Sequence, residues 1–405
     1  MADAIEDAVP RPPFAVILAI TLTGILANVL VTPVAPDIAK DFGLGPRGVG
    51  LVLGATTAPG ILLAPIIGVL ADRFGRRTVV VPCLALFGIS GGLAAFAPTF
   101  AILLALRFLQ GCGAAGLINL AVVLIGDHWD GQERARMMGR NAAALTASIA
   151  VLPPLGGLLA SAGGWRLTFV PYWIGLVTAV VAWRVLPSSA KGEGTLSEQL
   201  RRTVPFLRNP TVVGATGITF VLFVLIFGLF LTVLPVHLDR EYGVGAAGRG
   251  LILAIPAFTS TATALSLGRL RARFGISHLV ATGSLFLTVG IGTIGFAPSL
   301  AVVALGPVIY GFGEGLLIPT LQDVVAGVPP ASSRGAVVAA FVGVTRLGQT
   351  VGPIAMGFAV ERTAAANLFL GGAAVSLMLA IVQPLAVSRL KGRQELAPGI
   401  TNSLR

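Results

Sequence analysis

Long apolar runs broken by short polar turns make up almost the whole chain. Stretches of about twenty mostly apolar residues, the length that crosses a hydrocarbon core, fall at 14–35, 49–70, 79–97, 100–125, 138–160, 166–186, 211–236, 248–268, 279–297, 299–326, 336–360 and 366–388. An isolated strand leaves its backbone unsatisfied in lipid, and these runs lack the alternation of a β-barrel, so the pattern predicts an all-α membrane protein of twelve transmembrane helices. The longest polar interval, 187–210, divides them into a bundle over 14–186 and a bundle over 211–388, with tails at 1–13 and 389–405. Inside that interval, Thr195 and Glu198 have capping-box spacing and open a short basic helix through Arg201 and Arg202.

The two bundles are copies of one unit. Gly50, Gly68, Arg73, Gly75, Gly111, Gly113, Pro153 and Gly157 recur two hundred residues later as Gly250, Gly268, Arg273, Gly275, Gly311, Gly313, Pro353 and Gly357. Six spans per copy make them parallel repeats about an axis along the membrane normal, and such repeats enclose a substrate site between them.

Composition agrees with a lipid-embedded chain: 55% of residues are hydrophobic and 11% charged, too apolar for a soluble core. The formal net charge of +11 comes from short loops. With loops assigned alternately, one side holds Arg73, Arg76, Arg77, Arg134, Arg136, Arg140, Arg269, Arg271, Arg273 and Arg334, together with the basic linker and C-terminal tail. The opposite side has Lys40, Arg47, Arg166, Arg240, Arg249 and Arg362. The positive-inside rule therefore puts both termini in the cytoplasm of a plasma-membrane protein, and the basic charge implies anionic headgroups rather than nucleic acid. Asp3, Glu6 and Asp7 lack the basic character of a cleavable signal, so the first span is expected to be retained. Cys83 and Cys112 lie in apolar spans and read as buried thiols.

Three motifs carry chemistry. Gly68-Val69-Leu70-Ala71-Asp72-Arg73-Phe74-Gly75-Arg76-Arg77 joins the second and third spans. Arg107, Gln110, Gly111, Gly113, Ala114 and Ala115 lie in the fourth, and Pro153-Pro154-Leu155-Gly156-Gly157 in the fifth. The first closely resembles the signature loop of the major facilitator superfamily, and the second resembles the R-x-x-Q-G-x-G-A-A pattern of its proton-coupled members. The third is similar to the back half of G-P-x-x-G-G, the hinge pattern of its antiporters, with Leu152 in place of the first glycine and Gly352-Pro353 in the second copy.

The resemblance implies that Asp72 faces the start of the eleventh span near Arg334 in one access state. It also gives gating roles to Gly68, Asp72, Arg73, Gly75, Arg76, Gly268, Arg273 and Gly275. The second copy has Ala272 where the first has the aspartate. For Arg107 and Gln110 it implies proton coupling, and the residues alone allow an equally simple reading as a hydrogen-bonded anchor between helices.

Ionisable groups deep in the spans are few: Arg107, Glu314 and Arg346. Glu314 lies near the bilayer midplane, where an isolated carboxylate is costly, and pairing with Arg346 at similar depth is expected. The pair is either a proton carrier with an alternating partner or a permanent buried ion pair. Many proton-linked exporters have an acid in the first span, where this chain has Asn28. Asn28, Asn119, Asn141, Trp173, Phe227, Tyr310, Phe341 and Gln349 are candidates to line a central cavity.

With 52 glycines, chance matches to G-x-S-x-G at Gly88–Gly92 and to G-x-G-x-x-G at Gly111–Gly116 carry no weight away from a strand. No Walker loop and no metal-ligand cluster occurs in the sequence, so no cofactor, metal or enzymatic reaction is expected. The expected function is secondary transport by alternating access, with proton-coupled efflux of a small, partly apolar drug or metabolite by a monomer. The alternatives are a nutrient uptake symporter or uniporter of the same fold and a non-transporting membrane receptor or scaffold.

Overall fold

The computed structural model describes residues 11–187, 205, 206 and 208–395, with side chains described outside 331–336 and 382–395. The linker capping box, Arg201, Arg202, the acidic start of the N-terminal tail and the end of the C-terminal tail lie outside the described residues, as does the side chain of Arg334.

Twelve helical segments follow the apolar runs and extend beyond most of them. They are α1 (Phe14–Asp41), α2 (Pro46–Phe74), α3 (Arg76–Phe96), α4 (Phe100–His128), α5 (Gly131–Gly163), α6 (Trp165–Val185), α7 (Pro210–Tyr242), α8 (Ala246–Arg273), α9 (Ile276–Gly295) and α10 (Leu300–Gly327). The last two are α11 (Ala331–Arg362) and α12 (Ala365–Glu395). Eleven are long and apolar enough to cross a membrane among the described residues, and α12 adds a shorter apolar stretch, Ala365–Ile381.

The helices overrun the hydropathy windows because polar ends continue the backbone hydrogen bonding past the hydrocarbon. Where they deviate, the sequence gives the cause in two cases. Pro33 and Pro36 tighten α1 into a 3-10 turn at Thr32–Val34, and Pro171 lies in the 3-10 opening of α6 at Trp165–Trp173. In α7 the turn Leu225–Val233 is π-helical, and the Thr232 hydroxyl donates to the Phe227 carbonyl five residues back at 2.7 Å.

Each half has its own apolar interior. In the first half, Ile17, Ile20, Leu84 and Leu120 form one cluster, and Leu30, Phe87, Phe169 and Tyr172 another. In the second, Leu222, Leu229, Leu287, Tyr310, Phe341 and Phe369 belong to a single cluster. Large apolar side chains also face outward, such as Leu62, Leu265 and Phe296, all more than two-thirds exposed. That surface is stable only against acyl chains.

With smaller contacts of α1 on α7 and α8, the halves meet chiefly through two symmetry-related contacts, α2 with α11 and α5 with α8. Glycine permits both. A Cβ on Gly50 would fall 2.9 Å from the Pro353 carbonyl carbon and 3.2 Å from Gly357 Cα. A Cβ on Gly250 would fall 2.8 Å from the Pro153 carbonyl carbon and 3.0 Å from Pro154 Cα. Of the residues singled out as hinges, Pro153, Pro154, Gly157 and Pro353 thus lie on the facing backbones of the two halves. Gly156 packs on Leu30 of α1, and Gly352 on Val224 and Gly228 of α7.

Candidate functional site

Arg107 is fully buried in the first half. Its Nη1 donates to the Ala27 carbonyl at 2.8 Å and to Gln110 Oε1 at 2.7 Å, its Nη2 donates to Asn28 Oδ1 at 2.8 Å, and its Nε reaches the Val52 carbonyl at 3.4 Å. The cation is therefore held entirely by neutral acceptors. Tyr172, which sequence reasoning passed over in favour of its neighbour Trp173, donates to the carbonyls of Leu26 and Ala27 at 3.1 and 3.3 Å and closes the cluster. Its ring packs edge-on against Phe87 at 5.5 Å. This geometry ties α1, α2, α4 and α6 into one body and fits the anchoring reading of Arg107.

The second half differs. Glu314 lies deep in α10 yet keeps accessible surface, and it has no ion pair or hydrogen bond among the described residues. Arg346 does not meet it. Its Nη1 donates to Gln349 Oε1 at 3.0 Å, and its stem lies against Gly60 of α2, where a Cβ would fall 3.3 Å from Arg346 Cδ. The expected pair is absent because α11 packs chiefly on α2 and α7 rather than on α10. One turn before Glu314, the buried Tyr310 ring stacks on Phe230 at 4.8 Å and 5°, and its hydroxyl has no hydrogen-bond partner among the described residues.

The cavity candidates divide. Gln349, Phe227 and Asn119 retain accessible surface, with Phe227 stacked on Phe223 at 6.0 Å. Asn28 is committed to Arg107, Asn141 is buried and accepts from the Thr21 hydroxyl at 2.7 Å, and Phe341 is 4% exposed in the core of the second half. Trp173 packs its indole on Gly92 of α3, inside the first half. Asn28, Asn141, Phe341 and the Tyr310 ring are buried, whereas Trp173 keeps partial exposure as Gln349 and Phe227 do. Amphipathic periodicity does not separate the two faces of a helix apolar all round.

On the arginine-rich side the signature loop is folded on itself. Arg76 pairs with Asp72 one turn away and with Asp127 of α4 at 3.0 Å, so Asp72 is engaged within its own half. A Cβ at Gly68 or at Gly268 would meet nothing within 4 Å. No ion pair or side-chain hydrogen bond joins the halves there among the described residues.

On the arginine-poor side they are latched. Arg249, in the first turns of α8, is fully buried, pairs with Asp37 of the opposite half, and pairs with Asp239 of its own half at 2.9 Å. Lys40 bonds Asp239 across the halves at 2.7 Å, and Arg47 approaches Glu361 at 3.8 Å. Deeper in, Thr350 donates to the Thr57 hydroxyl at 3.0 Å, and Thr57 bonds the Gln349 carbonyl at 3.1 Å. This latch was missed because Arg249, Lys40 and Arg47 were counted only as loop charges. The acids Asp37 and Asp239 on the same side were the available signal.

Two parallel helical bundles, latched by ion pairs at one membrane face and enclosing buried ionisable groups, define a membrane transporter. The family model for the Major Facilitator Superfamily matches residues 16–248 and again 216–400, and the chain belongs to that superfamily. The bacillibactin exporter of Bacillus subtilis (strain 168) is 27% identical over 352 residues, covering 81% of this chain and 85% of that protein. The multidrug resistance protein MdtL of Escherichia coli O127:H6 is 28% identical, covering 77% and 79%. Among solved structures, a D-xylose-proton symporter superposes with a TM-score of 0.74 at 18% identity, covering 91% of this chain and 97% of that one. A bacterial homologue of the human lysosomal transporter Spinster, inward-facing and occupied, gives 0.73 at 20% identity, covering 93% and 96%. At these identities the structures establish the fold.

Proposed function

We propose that the protein is a monomeric, proton-coupled exporter of small, partly apolar compounds in the plasma membrane, with both termini in the cytoplasm. In that orientation the arginine-rich side is cytoplasmic and the described conformation is inward-facing, latched on the outside by Arg249. The kinship with the bacillibactin exporter and MdtL supports export over uptake.

The observation that carries proton coupling is Glu314, a deep carboxylate with no counter-charge among the described residues while Arg346 rests on Gln349. A carboxylate so placed is stabilised by a proton in one access state and by a guanidinium in the other. Protonation from outside would release Glu314 from Arg346, the halves would reclose on the outside as described, and the proton would leave to the cytoplasm as the next substrate enters. Domain bounds of 14–186 and 211–388 follow as the two rocking bodies.

Glu314→Gln tests this in vesicles with an imposed pH gradient and a fluorescent lipophilic compound found by thermal-shift screening. Uphill accumulation should fall at least about tenfold while downhill exchange persists. Undiminished uphill transport would remove Glu314 from the coupling path.

A further inference from the structure

A groove of about 520 Å³ opens in the second half between α8, α9 and α10, with no lining residue from the first half. The volume lies in the range of small-molecule sites, roughly 300–1,000 Å³. Its walls are apolar: Leu270 and Phe274 of α8, Leu279 and Phe286 of α9, Phe312 and Leu316 of α10, with the Phe286 and Phe312 rings 5.7 Å apart. It runs from His278, in the first turn of α9, to Phe286 eight residues on, which is about 12 Å at the rise of a helix. One end thus lies at the headgroups of the arginine-rich side and the other within the hydrocarbon.

The end of α8 that flanks the mouth is cationic, although no arginine lines the groove itself. Arg269, Arg271 and Arg273 stand on the last turns of α8, and two residues further on the chain enters α9, whose first amides have no side-chain cap. In the first repeat, Asp72 and Asp127 both bind Arg76; the equivalent positions here are Ala272, Gly327 and Ile276, while Arg269 and Arg271 have no counterpart there, and Asp323 is bonded to Arg271 Nη1 at 2.6 Å. Arg271 Nε and Nη2 have no acceptor among the described residues.

We propose that this groove binds an anionic phospholipid, one acyl chain between Phe274 and Phe312 and the phosphate at the His278 mouth. The lipid phosphate then sits beside the arginines at the end of α8, where the second copy of the signature loop has Ala272 in place of an aspartate. A zwitterionic lipid fills the same walls but brings its own cation to the mouth.

Native mass spectrometry of the full-length protein with equimolar phosphatidylglycerol and phosphatidylcholine of identical acyl chains tests the assignment. Phosphatidylglycerol should be retained about fivefold or more over phosphatidylcholine. That ratio should fall towards one in the Arg269→Gln/His278→Gln double variant, and Thr282→Trp, which fills the groove, should lose the adduct. Ala262→Leu serves as a milder filling variant should the tryptophan impair folding. Equal retention of both lipids by the unaltered chain, or full phosphatidylglycerol retention by a folded filling variant, would overturn the site and leave ordinary annular lipid.

Discussion

At the scale of residues, what distinguishes the two halves is how each holds its buried charge. Arg107 is surrounded by oxygen acceptors, and removing it takes the donor from Gln110 Oε1 and Asn28 Oδ1, while the Ala27 carbonyl keeps only the Tyr172 hydroxyl. A buried polar group left without its partner costs about 1–3 kcal/mol. Arg107→Ala is therefore expected to destabilise the protein by at least about 3 kcal/mol and to lower its thermal transition in detergent. A transition unchanged from the parent would show that the cluster is not an anchor. Asn28→Asp places a carboxylate where an amide now accepts from the guanidinium, and it should raise the same transition, whereas Asn28→Ala should lower it. Arg107 and Gln110 were legible in the sequence as a helix-face pair. Their partners on α1, α2 and α6 were not, since backbone carbonyls and Tyr172 carry no motif.

At the scale of elements, repeat and hydropathy together indicated nearly every helix, and the hinge segments fell on the faces where the halves touch. The π-helical turn of α7 was invisible because Leu225–Val233 is apolar throughout and no polar period marks the extra residue. The glycine contacts give a direct prediction. Gly250→Val drives side-chain atoms into the Pro153 backbone, so α5 and α8 must separate on the arginine-poor side. Thiol labelling of a cysteine at Pro298, on that side, should accelerate by about tenfold or more, and unchanged labelling would mean that the contact yields without opening. A matching effect is expected for Gly50→Val at the α2–α11 contact, because the same geometry recurs there.

At the scale of the whole molecule, two rigid bundles exchange one closed face for the other, and the balance depends on what holds each face. The exposed Arg47–Glu361 pair contributes little, about 0–1 kcal/mol. Arg249 is different: it is fully buried between acids from both halves, and truncating one member of a buried charged pair costs about 2–5 kcal/mol. That is enough to invert a two-state population, since each 1.4 kcal/mol is tenfold. The sequence showed the superfamily and the two bundles but not which face is closed, because closure depends on acids and bases one half contributes to the other.

The most direct measurement is the pair of distances between spin labels at Pro98 and Ser299 on the arginine-poor side and at Thr78 and Ala272 on the arginine-rich side, with and without Arg249→Gln. Alternating access about this latch predicts that the substitution lengthens the first distance and shortens the second. Two distances that stay fixed, or that lengthen together, would contradict it.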